Sequence, residues 1–196
     1  MVLDQIWSMS LHSKTQVSMT DNLVFDTDCI SSFLWVGEEK LLTNLYPGQM
    51  ILPKQVFYEL SNPCIPHLGL KIEQLCSSGD LRLSEILFGS EEYELYCQLA
   101  LSPPKGETVI GKGEAAAIVL ARSFNAILAS NNLKDVSKYV VKFGLKHFTT
   151  GEILIEALNK GYIDVREGDT IWQKMLSKRR FLPINSFSSF FLSKNS

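Results

Sequence analysis

The sequence predicts an α/β fold of three layers, in which a central parallel sheet is covered by helices on both faces. Three observations carry this. Short apolar runs of strand length, residues 23–25, 49–53 and 126–130, alternate with helical stretches. The stretches between them are long enough for the right-handed crossovers that parallel strands require. Glycine and proline punctuate the ends of the helical segments, so the elements are discrete.

The elements follow in order. "LVF" at 23–25 reads as the first strand, and "CISSFLWV" (29–36) and "KLLTNLY" (40–46) as two helical segments. "QMILP" (49–53) is a second strand, stopped by Pro53, and "KQVFYELSN" (54–62) is the helix after it. "GLKIEQLCSSG" (69–79) is amphipathic and ends at Gly79; "EEYELYCQLAL" (91–101) is a helix broken by Pro103 and Pro104. "GEAAAIVLARSF" (113–124) is a strong helix, "AILAS" (126–130) a buried strand, and "LKDVSKYVVKFG" (133–144) amphipathic. After the short "KHFTT", a helix at 151–163 ends near Gly161, and "REGDTIWQKMLSKRRF" (166–181) is another, its cationic last turn suited to the helix dipole. Residues 1–20 read as a polar N-terminal extension, 21–163 as the domain, and 164–196 as a C-terminal helix and tail. The Ser-rich tail carries enough Phe to require packing, on this chain or on a partner.

At 196 residues, 45% hydrophobic and 20% charged, the chain suffices for one domain with a real core. No apolar stretch approaches bilayer length and the first residues lack a secretory pattern, so no membrane partner is expected and the cytoplasm is the expected location. Cys29, Cys64, Cys76 and Cys97 form no C-x-x-C pair and read as free thiols; only Cys64 and His67 are close enough to suggest a metal clip, and two further ligands are missing. The net charge of −2 neither forecasts nor excludes a polyanion partner.

Acids collect at telling places. In "VFDTD", Asp26 follows the first strand, and the carboxyl end of a parallel strand is where ligand chemistry gathers. Asp28, just before the helical run, reads as a helix cap or a site residue. Glu59 lies late in "VFYELSN", Glu114 opens a helix of small residues in "GKGEAAAI", and "SNNLKD" follows an apolar strand. Lys134, Lys138 and Lys142 recur every four residues, Lys105 and Lys112 flank the approach to Glu114, and Lys178, Arg179 and Arg180 make a denser cluster suited to phosphates or to a helix end.

The order strand-Asp, helix-Glu, Gly-x-Gly-Glu-Ala, then a polar cluster after an apolar strand resembles PIN-domain ribonucleases, VapC-like toxins in particular, over residues 22–163. The motif at Glu114 is the most specific piece. The resemblance implies a PIN-like fold and a metal-dependent ribonuclease cleaving single-stranded RNA, with Asp26, Glu59, Glu114 and Asp135 as catalytic residues. It further implies Mg²⁺ or Mn²⁺ held by Asp26, Glu114, Asn132 and Asp135, and an antitoxin protein as partner. Lys112, Lys134 and Lys138 are the candidate nucleic-acid contacts. Hard oxygen ligands suit these cations, and such ions serve phosphodiester hydrolysis. Where the family has a "DD" or "ND" step after an apolar strand, this chain has Asn131 and Asn132, which bring no charge, with Asp135 just beyond; that departure feeds the alternative of an inactive PIN-like nucleic-acid or protein binding module. "DTD" also invites a haloacid-dehalogenase-type phosphatase, but Ile30 stands where Thr or Val is required and no acidic pair follows a late apolar strand. A homodimer is expected from the apolar segments "LTNLYPG" and "EEYELYCQLAL" and from the tail.

Overall fold

The computed structural model describes residues 21–106 and 108–195. The N-terminal extension proposed for residues 1–20 lies outside the described residues. Five strands, β1 (Leu23–Phe25), β2 (Met50–Pro53), β3 (Leu81–Ser84), β4 (Ile127–Ala129) and β5 (His147–Phe148), form one parallel sheet in the order β3-β2-β1-β4-β5. β1 is central: Leu23 lies opposite Met50 on one side and Ile127 on the other.

Alternation along these strands makes the two outer layers. Leu23, Phe25, Met50, Leu52 and Ile127 point into one core, and Val24, Ile51 and Leu128 into the other, since successive strand side chains face opposite ways. The first core is covered by α1 (Thr27–Leu34), α2 (Glu39–Leu45), α3 (Lys54–Leu60), α4 (Pro66–Ser77), α8 (Thr150–Asn159), α9 (Val165–Ser177) and α10 (Phe187–Asn195). The second is covered by α5 (Glu91–Ala100), α6 (Lys112–Ser123) and α7 (Leu133–Phe143). The fold is thus the three-layer α/β/α arrangement with an all-parallel sheet. Among the described residues no helix is long and apolar enough to cross a membrane.

Several elements differ from the sequence reading. β3 is missing from it, because "LRLS" is an edge strand in which only Leu81 is buried and Arg82 is exposed, which leaves no apolar run to recognise. α1 begins at Thr27, so Asp26 and not Asp28 is its cap. α4 begins at Pro66, three residues before the predicted start, with proline at a first-turn position that has no hydrogen bond to lose. α9, expected to run to 181, ends at Ser177 with Lys178 as its cap, so Arg179 and Arg180 lie beyond the helix and not in its last turn.

The tail is helix α10, and this chain itself covers its apolar face. Phe187 and Phe190 are buried, with ring centroids 6.1 and 5.4 Å from that of Trp172, whose indole N–H donates to the Ile184 carbonyl at 2.8 Å. The apolar face of α2 is likewise buried at Leu41, Leu42 and Leu45, and α5 buries Tyr96, Leu99 and Ala100. The apolar surface on which the dimer expectation rested is therefore largely used within the chain. Gly151 and Gly168 let α10 dock closely, since a Cβ at either would collide with the ring of Phe190 or Phe187. Gly168→Ala is expected to lower stability by about 1–3 kcal/mol through overpacking, read from urea denaturation; an unchanged midpoint would mean that Phe187 does not pack on α9 as described.

Candidate active site

The helices that follow β1 and β4, together with α6, all begin at one edge of the sheet, and their unpaired first-turn amides meet there. Asp26, directly after β1, is 1% exposed, and its amide donates to the Ala129 carbonyl of β4 at 2.9 Å. Its Oδ1 accepts from the Cys29 amide at 2.7 Å, which caps α1. Its Oδ2 is buried and has no hydrogen-bond partner. Burial raises the Asp26 pKa to about 7. The nearby Ser130 hydroxyl and the Cys29 amide pull it down, and the carboxylates of Asp28 and Glu114 push it up further. Desolvation, more than crowding among acids, is the main cause.

Glu114 sits in the first turn of α6. Its Oε2 accepts from the Gly111 amide at 3.1 Å and its Oε1 from the side-chain amide of Asn132 at 2.5 Å. Burial raises its pKa as well, and Asp135 and Asp28 contribute in the same direction. The same Asn132 nitrogen donates to Asp135 Oδ2 at 2.7 Å, so one amide group bridges two carboxylates. Asn132 Oδ1 caps α7 by accepting from the Asp135 amide at 3.4 Å. The amide oxygen, the atom by which Asn132 was expected to bind metal, is therefore engaged with the helix. Asn131 faces α8: its Nδ2 donates to Thr150 Oγ1 at 2.9 Å and its Oδ1 accepts from the Thr150 amide at 2.8 Å.

Glu59 is drawn into the same edge but is fully engaged. One oxygen accepts from the Thr27 hydroxyl and the other from the Gly113 amide at 2.9 Å. Only glycine fits at 113, since a Cβ there would lie 2.7 Å from both Glu59 Oε2 and Thr27 Oγ1. Glu59 thus clamps the first turn of α1 against that of α6. The clamp brings Asp28 to the mouth of the cluster, where it is exposed and raises the pKa of both Asp26 and Glu114. Asp28 was not among the site residues chosen from the sequence; its signal was the "DTD" step, in which it was read partly as the cap that Asp26 turns out to be.

Lys112 and Lys134 are exposed in the first turns of α6 and α7, the two turns that Asn132 joins, and Lys138 lies one turn further out with its ammonium 4.6 Å from the Tyr139 ring centroid. Among the described residues no lysine or arginine forms an ion pair with Asp26, Asp28 or Glu114. Nor, among those residues, are three Asp, Glu, His or Cys side chains gathered closely enough to hold a metal ion as they stand. The donor chemistry still fits a hard divalent cation, because Asp26 Oδ2 is a buried carboxylate oxygen with open valence and its charged neighbours are carboxylates.

In an all-parallel three-layer domain ligand chemistry gathers at the carboxyl edge of the sheet, which is where these acids lie. A family model described as a PIN domain matches residues 22–193, and the chain belongs to the PIN-domain family. The match runs on through α9 and into α10. A comparison with curated proteins finds no match.

The raised Asp26 pKa has a definite sign. Because its folded value lies above the ordinary 3.8, the stability linked to its protonated form is present at acid pH and lost as pH rises through about 7. Asp26→Asn keeps the cap and removes the buried charge. In chelator the variant should melt above the wild type at about pH 8, by up to roughly 4 kcal/mol, with the gap closing near pH 4. A constant gap across that range would refute the account.

Proposed function

We propose that this protein is a Mg²⁺- or Mn²⁺-dependent endoribonuclease that hydrolyses phosphodiester bonds of single-stranded RNA and leaves a 5′-phosphate. The observation that carries the proposal is the buried, unpartnered Oδ2 of Asp26 beside Glu114 and Asp28, with no lysine or arginine paired to any of the three among the described residues. A bound divalent cation would activate water and relieve charge on the phosphate in flight. Asp26 would be the central ligand, because its backbone is tied to β4 and its Oδ1 to α1, so Oδ2 is held in a fixed direction. Glu114 and Asp28 would supply the neighbouring oxygens, with Asp135 reached through Asn132. Glu59 is a positioning residue that fixes the first turns of α1 and α6. Lys112 and Lys134, with Lys138 beyond them, flank the cluster and suit the phosphates on either side of the scissile bond.

The likeness to VapC-like toxins extends the proposal to a cytoplasmic toxin restrained by an antitoxin protein. A second reading, a PIN-like binding module without hydrolysis, is favoured by one observation: the Asn132 amide occupies the space between Glu114 and Asp135.

Mn²⁺ titration followed by calorimetry, together with cleavage of end-labelled RNA, separates the two. Asp26→Asn should fold, bind Mn²⁺ at least tenfold more weakly and lose cleavage by orders of magnitude. Asn132→Asp replaces the bridging donor by a third carboxylate, so it should lower stability in chelator, tighten Mn²⁺ binding and leave cleavage intact or raised. Unchanged Mn²⁺ affinity in Asn132→Asp would remove that position from the metal site. Wild type and Asn132→Asp that both fail to cleave every RNA tried would favour the binding module.

A further inference from the structure

The cationic cluster at the end of α9 has no part in the acid site, and its geometry sets it beside α1. Lys178 closes α9; Arg179 follows in the left-handed region at φ 57°; Arg180 turns back, with its Nε donating to the Lys178 carbonyl at 3.2 Å. Arg180 Nη1 donates to Ser31 Oγ on α1 at 3.3 Å, and the guanidinium lies 5.8 Å from the ring centroid of half-buried Trp35. Trp35 meets the exposed His67 edge to face at 4.7 Å. Phe181, next in the chain, is 87% exposed. Among the described residues, none of the three cationic side chains is in an ion pair.

Asp28, Ser31 and Trp35 are spaced i, i+3, i+7 and so share one face of α1. That stripe leads from the mouth of the acid cluster to the cationic and aromatic patch, roughly 10 Å along the helix axis. We propose that the patch, comprising Lys178, Arg179, Arg180, Phe181, Trp35 and His67, binds the single-stranded RNA flanking the cleaved bond, and that α1 sets the spacing between the two. The inference rests on the ribonuclease reading above. Unpaired cations match the charge of the phosphates, while exposed rings and a guanidinium plane offer faces for unstacked bases. A left-handed non-glycine residue costs conformational energy, and Arg179 adopts that conformation at an exposed bend.

The test is binding of fluorescent oligouridine to the full chain in chelator, read by anisotropy over a range of salt, with an oligouridine–oligoadenine duplex as control. Phe181→Ala, at a side chain the fold barely contacts, should weaken oligouridine binding about fivefold or more and leave duplex binding unchanged. Arg179→Gly relieves the left-handed strain, so its melting temperature should hold or rise while its RNA affinity falls and the salt slope drops by about 0.7. If both variants bind oligouridine like the wild type with an unchanged slope, or if the wild type does not bind it at low salt, the proposal is overturned. Weaker binding by these variants, with no cleavage by the wild type in Mn²⁺, would keep the patch and sink the hydrolase reading alone.

Discussion

Helices α1, α6 and α7 begin side by side at the carboxyl edge of the sheet, and every helix start leaves backbone N–H groups without partners inside the helix. Three acids and one asparagine meet that demand. Asp26 caps α1, Glu114 turns back to the Gly111 amide ahead of α6, Glu59 takes the Gly113 amide, and Asn132 caps α7. Capping and chemistry are therefore not rival roles here. The positive ends of the helices make it possible to hold several carboxylates in a small, partly dry space, and the acids in turn fix how the helices sit on the sheet. Asp26 shows the division within one side chain: Oδ1 satisfies the helix, and Oδ2 is left with nothing.

Asn132 shows how the same edge balances charge. Two carboxylates brought together repel, and one amide nitrogen that donates to both lowers that cost without adding charge. A cation would do the same work more strongly. An aspartate at 132 would make the cluster depend on a cation for its stability; asparagine lets the apo arrangement persist by itself. Asn132 thus keeps Glu114 and Asp135 together without any added charge.

The fold was legible because the central strands are apolar throughout and separated by helical lengths of chain, while the edge strand β3, half exposed, left no such trace. The candidate site was legible in part. Asp26, Glu114 and Asp135 stand at a strand end and in first helical turns, positions that sequence pattern reveals. The clamp of Glu59 on Gly113 was not readable, because it joins residues 54 positions apart and depends on the missing Cβ. Asp28 was missed for a smaller reason: a start of α1 two residues earlier than its apolar pattern suggested moved the cap to Asp26 and left Asp28 facing the cluster. The Phe-rich tail announced that it had to be buried, but only tertiary structure could say that Trp172 and two glycines receive it.

That docking gives synthesis a direction. All five strands and every acid of the cluster are encoded ahead of α10, so they leave the ribosome before the helix that covers Trp172. A chain cut short in the loop after α9 would carry the whole carboxylate cluster and yet present an uncovered aromatic face to chaperones and proteases.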